Sequence, residues 1–564
     1  MTSIVNTSSL ARMLVKESPV GILVAVFFGL LAGFSYSLII PIVMSAFSMG
    51  EGAEGKAHIF SSFTKEALSI IFFVNCLFIF IFRSVSTVLI SYITRGAAAK
   101  LRVDLCKKIP RLPIASVERI EMPRIINILT RDIQSVAGSA NALPSVCISI
   151  LTIFALLAYV IYLSPVFFAV TAFMLAVGVA GFVFPMRYAT IRMEKARAAE
   201  DNLQEGVRGL VLGIKELKLS KTKSSAYIDD AIVQAEHEIL GWGRAGDAIM
   251  LATLAYGQLI ASLIIGVITF YIGDLFPVSN TEIFGVIMVL LYILGPLSVI
   301  LGGVPVLKMG AVSLGRISTF VEEKEEELCS LERSPNWKKV RLNNICYSYV
   351  QNNENTFSLK PISLELEKGS IYYIVGANGS GKSTLGKLLT LHYTPTEGDI
   401  YFDDVVVSNE NRGAFRESIS AIYSDYYLFQ SIYGNAGKLS EEKIRHYLKY
   451  LGLEGKTEYA QNQFTTTKLS DGQRRRLALL AALLDDRDLY LFDEWAADQD
   501  PKFKDIFYRE VLPDLKAMNK LVVIITHDDR YFDCADKLIF MEDGKIQSVS
   551  DQSFKGNKNA VKEK

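Results

Sequence analysis

Six apolar runs precede residue 310, at about 19–48, 67–93, 140–163, 165–187, 245–272 and 281–305. Each is near or above the ~20 residues that a helix needs to cross a bilayer. Lipid offers no partners for backbone amides, so such runs must be helical. Leu163-Ser164-Pro165 is the only break between the third and the fourth, which predicts a tight helical hairpin. A mean hydropathy of +0.28 fits a membrane protein. The formal net charge of zero argues against a basic nucleic-acid binder, and no nucleic-acid partner is expected. The six cysteines are scattered, with no CxxC pair and no histidine at ligand spacing, so neither a zinc site nor a disulfide framework is expected. Residues 1–17 are mixed polar and lead into the first run without a small-residue cleavage site, so no cleaved signal peptide is expected.

Orientation follows from the basic residues. Arg95, Lys100, Arg102, Lys107, Lys108 and Arg111 follow the second run, and Arg187, Arg192, Lys195 and Arg197 follow the fourth. By the positive-inside tendency these loops, and both termini, are cytoplasmic. Both cytoplasmic connections have helical periodicity, which predicts that the membrane helices continue beyond the bilayer. The expected organisation is a six-helix transmembrane domain over 1–320, an acidic linker over 321–336, and a soluble α/β domain over 337–550. A polar tail occupies 551–564.

The soluble part carries the chemistry. Gly376-Ala377-Asn378-Gly379-Ser380-Gly381-Lys382-Ser383-Thr384 follows an apolar strand-like run and matches the P-loop pattern throughout. Its glycines let backbone amides turn around phosphate oxygens, ahead of a helix N-terminus. Lys382 supplies positive charge to the outer phosphates, and Ser383 supplies a hydroxyl to Mg²⁺. The expected cofactors are therefore ATP and Mg²⁺. Leu489-Tyr-Leu-Phe-Asp493-Glu494 is an apolar strand ending in two acids. Asp493 is placed to hold Mg²⁺ through water, and Glu494 to polarise the attacking water as general base.

Leu469-Ser470-Asp471-Gly472-Gln473, followed by a helix, resembles the signature motif of ABC ATPases. The resemblance implies that Ser470, Gly472 and Gln473 at this helix start meet the γ-phosphate of ATP held by a second copy. A homodimer with twelve spans and two composite sites follows. Asp471 stands where the family usually has glycine. It is tolerated if its side chain points outward, and weakens nucleotide binding if it points in. Tyr349 falls at the adenine-stacking aromatic, His527 at the switch histidine, and Asp500 at the aspartate of the intersubunit loop.

The family's Q-loop glutamine is replaced by Ser424, with Asp425 beside it. Two readings stand: Asp425 takes over as a metal ligand, or it caps a turn while the metal keeps an extra water. Ser424-Asp425, Trp495-Ala-Ala-Asp-Gln-Asp-Pro501 and the HDDRYF run from His527 together resemble the cyclic-peptide exporters of the ABC superfamily. That group includes exporters of lasso peptides, lipopeptides and siderophore precursors. The likeness is strong over 337–550 and compatible in topology, that of a type I ABC exporter, over 1–320. It implies an ATP-hydrolysing translocase in the inner membrane that moves a modified or cyclic peptide, with a siderophore or its precursor among the implied cargoes. It also implies coupling helices near Pro113–Ile120 and Gly213–Lys221.

A lipid or glycolipid flippase, and a membrane-anchored ATPase acting as sensor, are the competing readings. Glu494 argues against the sensor, which needs no hydrolytic base. Among polar residues in spans, Asn75, Arg83, Arg244 and Asp247 stand out. Arg83 lines a cargo path or an interface. Arg244 and Asp247, three apart, are expected to pair. Tyr36, Tyr256, Tyr271 and Tyr292 serve as cavity walls or as interfacial anchors.

Overall fold

The computed structural model describes residues 18–48, 60, 63–272, 279–326, 336–351, 354–433 and 441–551. The chain divides into two compact units. Met1–Cys106 and Pro123–Glu322 form the first, Lys107–Met122 and Glu323–Lys564 the second.

The first unit holds six helices long and apolar enough to cross a membrane. They are Pro19–Phe47, Lys65–Arg111, Met122–Leu163, Pro165–Leu212, Lys221–Tyr271 and Thr281–Glu322. The expected extension is seen. The continuous helices Lys65–Lys108 and Pro165–Leu212 have 44 and 48 residues. At 1.5 Å per residue they reach about 66 and 72 Å, roughly twice the apolar thickness of a bilayer. The hairpin between spans three and four forms as predicted, because Ser164 is extended and Pro165 opens the next helix.

Spans four and five pack along each other, and so do spans three and six. Small residues permit the second pairing. A Cβ built on Gly310 would lie 1.9 Å from Ser139 Oγ. Gly310→Ala is therefore expected to force the two helices apart and cost about 1–3 kcal/mol, read as a lower thermal midpoint in detergent. An unchanged midpoint would contradict this packing. Spans one and two are joined by side-chain bonds to backbone: Asn75 Nδ2 donates to Ser35 O at 2.9 Å and Ser86 Oγ to Ala25 O at 2.8 Å. Buried Asp132 accepts from Ser313 Oγ at 2.7 Å. Arg244 and Asp247 correct an expectation. Both are exposed, and neither has an ion-pair partner among the described residues.

The second unit contains two main sheets. The antiparallel one comprises β1 (Lys339–Gln351), β2 (Glu354–Glu367), β4 (Glu397–Phe402) and β5 (Val405–Val406), in the order β2-β1-β4-β5. The other includes β3 (Ile371–Gly376), β6 (Ile419–Ile422), β9 (Leu489–Asp493), β10 (Leu521–Ile525), β11 (Lys537–Glu542) and β12 (Lys545–Asp551). Its order is β12-β11-β3-β10-β9-β6, parallel except for β12. A short hairpin, β7 (Tyr459–Ala460) and β8 (Gln463–Phe464), stands apart. Every residue of β9 and β10 is buried, as a parallel sheet covered on both faces requires. Apolar clusters built around Leu480 and Phe507, and around Leu388 and Phe402, fill the core. β3, β9 and β10 thus end side by side at Gly376, Asp493 and Ile525, and their carboxyl ends carry the motifs.

Candidate nucleotide site and its transmission contacts

Backbone geometry explains the glycines of the P-loop. A Cβ on Gly376 would lie 2.2 Å from the Met541 carbonyl oxygen, so no other residue fits there. Gly379 and Gly381 have φ of 81° and 96°, in the left-handed region. The helix Lys382–Leu389 then starts at the motif lysine. Lys382 Nζ donates to Gly376 O at 3.0 Å and to Ala377 O at 2.9 Å. Burial lowers its pKa, while the nearby Glu494 and Asp493 charges oppose that shift. Ser380 Oγ is buried without a partner, whereas Asn378, Gly379 and Ser383 are exposed. The loop therefore combines a buried cation, an orphaned hydroxyl and a helix N-terminus, a fit for an anion.

Asp493, 3% exposed, closes β9. Burial raises its pKa and a hydrogen bond with the Ser383 side chain lowers it, while the charges of Glu494 and Asp425 push it up. Asp493 thus meets the Ser383 hydroxyl directly and feels two further acids through their charge. A carboxylate and a hydroxyl in contact are hard oxygen donors, and they suit Mg²⁺. Glu494 has φ 51° and is fixed through its backbone N–H, which donates to Ile525 O at 3.0 Å. Its carboxylate is left half-exposed, with His527 Nε2 3.3 Å away. The structure therefore brings together Lys382, Ser383, Asp493, Glu494 and His527. Asp425 is exposed, and its side chain accepts no hydrogen bond among the described residues.

The signature segment forms a helix, Asp471–Asp485, with a full capping box: Ser470 Oγ accepts from the Gln473 N–H, and Gln473 Oε1 from the Ser470 N–H. The Asp471 side chain is 86% exposed and lies 4.0 Å from the Arg474 guanidinium. A Cβ on Gly472 would lie 3.0 Å from Asp498 O. Asp500 caps the helix Pro501–Ile506 by accepting from the Phe503 N–H at 2.9 Å, and pairs with Arg476 at 2.6 Å. These two bonds, the backbone one first, hold its carboxyl below the usual range. Among the described residues no hydrogen bond or ion pair joins 376–384 to 470–473.

Two arrangements were not visible in the sequence. Arg475 donates to Glu494 O at 2.6 Å and pairs with Asp498 at 2.7 Å, while Trp495 Nε1 donates back to Arg475 O at 2.9 Å. The signature helix and the acid-bearing strand end are thus tied crosswise. Second, the expected segment near Pro113–Ile120 forms the helix Ile114–Ile120 within the second unit. Ile114 packs on the core cluster containing Leu388. Glu118 accepts from Lys387 Nζ at 2.8 Å and from Tyr393 Oη at 2.5 Å. Tyr393 Oη accepts from Tyr349 Oη at 3.3 Å, and Tyr349 shares a 3.3 Å bond with Thr384 Oγ1. A continuous chain of polar contacts therefore runs from Glu118 to the P-loop helix. Beside it, burial pushes His392 down to about 4, leaving a neutral ring that bonds Thr390 and Tyr423 at the head of the Q-loop segment. The second expected segment, near Gly213–Lys221, forms the helix Ile214–Lys218 in the first unit.

Tyr393→Phe keeps the ring that stacks on Tyr347 at 4.6 Å and removes the hydroxyl joining Glu118 to Tyr349. Basal ATP turnover is expected to persist, while stimulation by cargo falls several-fold, since about 1–3 kcal/mol of polar contact is lost. Unaltered stimulation would remove this chain of contacts from coupling.

Residues 20–205 match the ABC transporter transmembrane region and 359–497 the ABC transporter family model. The ATP-binding protein SyrD of Pseudomonas syringae pv. syringae is 34% identical over 484 residues, covering 83% of this chain and 85% of that one. The chain belongs to the ABC transporter family. More closely, it is a half-transporter of the exporter type, a multi-pass membrane protein that couples ATP hydrolysis to transport. The nisin transport ATP-binding protein NisT of Lactococcus lactis subsp. lactis is 32% identical over 220 residues, 36% of each chain. A solved bacterial Atm1-family ABC exporter with ATP bound shares the fold, with a TM-score of 0.75 over 94% of this chain and 95% of that one at 16% identity.

Proposed function

We propose that this half-transporter acts as a homodimer in the inner membrane and exports a modified or cyclic peptide. The observation that carries the dimer is the separation of its two phosphate-binding halves. Among the described residues of one chain, no hydrogen bond or ion pair joins the P-loop to the start of the capped signature helix. A second copy supplies the missing half to each site. Lys382 and the P-loop amides then hold the phosphates, and Ser383 and Asp493 hold Mg²⁺. Tyr349 lies against adenine, and Ser470, Gly472 and Gln473 close over the γ-phosphate from the partner. Glu494 takes the proton of the attacking water, and His527, 3.3 Å away, steadies that carboxylate. Asp500 sets the loop between the copies.

Asp425 serves as a further metal ligand in place of glutamine. Its support is the charge effect on Asp493 together with a side chain that accepts no hydrogen bond among the described residues, although its backbone lies in the turn closed by the Tyr426 N–H on Tyr423 O at 3.3 Å. Asp425→Ala is expected to raise the Mg²⁺ concentration for half-maximal turnover several-fold, and Ser424→Ala to leave it unchanged. Equal behaviour of the two variants would return Asp425 to a turn residue.

Peptide cargo is supported by the segment Trp495–Pro501 and by a relative named for transport of nisin, a peptide. The test is ATP-dependent accumulation of an N-acylated or cyclic peptide inside inside-out proteoliposomes. Accumulation that Glu494→Gln abolishes is expected. Hydrolysis with lipid translocation and no peptide movement would favour a flippase, and hydrolysis with neither would favour a sensor.

A further inference from the structure

Arg83 lies within the apolar run of the second span, twelve residues from Arg95 and eighteen from Lys65. At 1.5 Å per residue those are about 18 and 27 Å, too far for the side chain to reach either membrane face. A cation at such a depth is costly and needs a partner. Its guanidinium donates to Tyr36 Oη at 2.8 Å and lies 5.7 Å from the centre of that ring. Both partners are neutral. Spans one, two, three and six contain no Asp or Glu over 19–48, 67–103, 133–163 and 283–321. Among the described residues no carboxylate pairs with Arg83.

The same side chain faces a cavity between those four spans, lined also by Tyr36, Ser149, Thr152, Tyr292 and Pro296. The Tyr36 and Tyr292 rings stand 6.4 Å apart along its wall. The cavity thus joins one uncompensated cation, hydroxyls and an aromatic surface, the recipe for an amphipathic anion. We propose that this is a cargo subsite for a carboxylate. The guanidinium takes the carboxylate in a charge-assisted pair, and the adjoining aromatic or acyl part rests on Tyr36, Tyr292 and Pro296. The proposal rests on the export reading and narrows its cargo to peptides bearing a free carboxylate.

The full chain in phosphatidylcholine nanodiscs tests it. A dansyl-labelled acyl peptide with a free C-terminal carboxylate and its carboxamide twin are titrated by fluorescence polarisation. The wild type is expected to favour the carboxylate by roughly tenfold, the weight of one charge-assisted hydrogen bond. Arg83→Gln is expected to erase that preference, and Arg83→Lys, which keeps the charge, to retain part of it. Thermal midpoints of both variants identify any that fail to fold, and the lysine variant then carries the comparison.

Equal affinities in the wild type, or a preference that survives Arg83→Gln, overturn the subsite. Loss of the preference when phosphatidylglycerol is added assigns the guanidinium to lipid headgroups and also overturns it. ATP-driven accumulation of both peptides without preference sinks the subsite and leaves export standing. No accumulation of either sinks export and the subsite with it.

Discussion

Glu494→Gln binds ATP with wild-type affinity and hydrolyses it about 10²–10⁴-fold more slowly, the loss expected when a positioned general base is removed. The substitution keeps size and shape. The backbone bond from residue 494 to Ile525 O stays at 3.0 Å geometry, and the grip of Arg475 on the 494 carbonyl is unaffected. What disappears is the carboxylate facing His527. Lys382 also loses one of the two negative charges that offset its burial, yet Asp493 remains. Nucleotide affinity and steady-state turnover, measured on the same reconstituted sample, separate binding from chemistry. Turnover equal to wild type would remove Glu494 from the role of base.

Trp495→Ala lowers stability by about 3–5 kcal/mol, the usual cost of truncating a large buried aromatic. The indole is 1% exposed and its ring centre lies 4.2 Å from that of Phe507. Its N–H also fixes Arg475, whose guanidinium holds the Glu494 carbonyl. Truncation therefore opens a cavity and loosens the catalytic strand end together, so turnover falls in the fraction that stays folded. Trp495→Phe fills most of the volume and loses the single hydrogen bond, about 1 kcal/mol. Thermal unfolding should rank wild type above phenylalanine and phenylalanine above alanine. Three equal midpoints would show that the cavity collapses without cost.

These effects differ in how far the chain announced them. The spans were legible because length and apolarity alone decide what lipid tolerates, and Ser164-Pro165 marked the hairpin by the chemistry of its backbone. The P-loop and the strand ending in Asp493-Glu494 were legible because the phosphate-binding turn demands glycine at fixed places. The crosswise tie of Trp495 and Arg475 was not, since it depends on the signature helix lying beside the strand end. Nor was the contact of Glu118 with Tyr393, which joins positions 275 residues apart. Spacing alone misjudged Arg244 and Asp247, because two exposed side chains three apart gain little from meeting.

Counting copies per nanodisc settles whether the site is shared. Discs loaded with one or with two chains, sorted by stepwise bleaching of a single label per chain, are assayed for ATP turnover. Two-chain discs should turn over nucleotide at the full rate, and one-chain discs should fall to background while still binding it through the P-loop. The same rate per chain in both would mean that each copy cleaves nucleotide with its own residues alone.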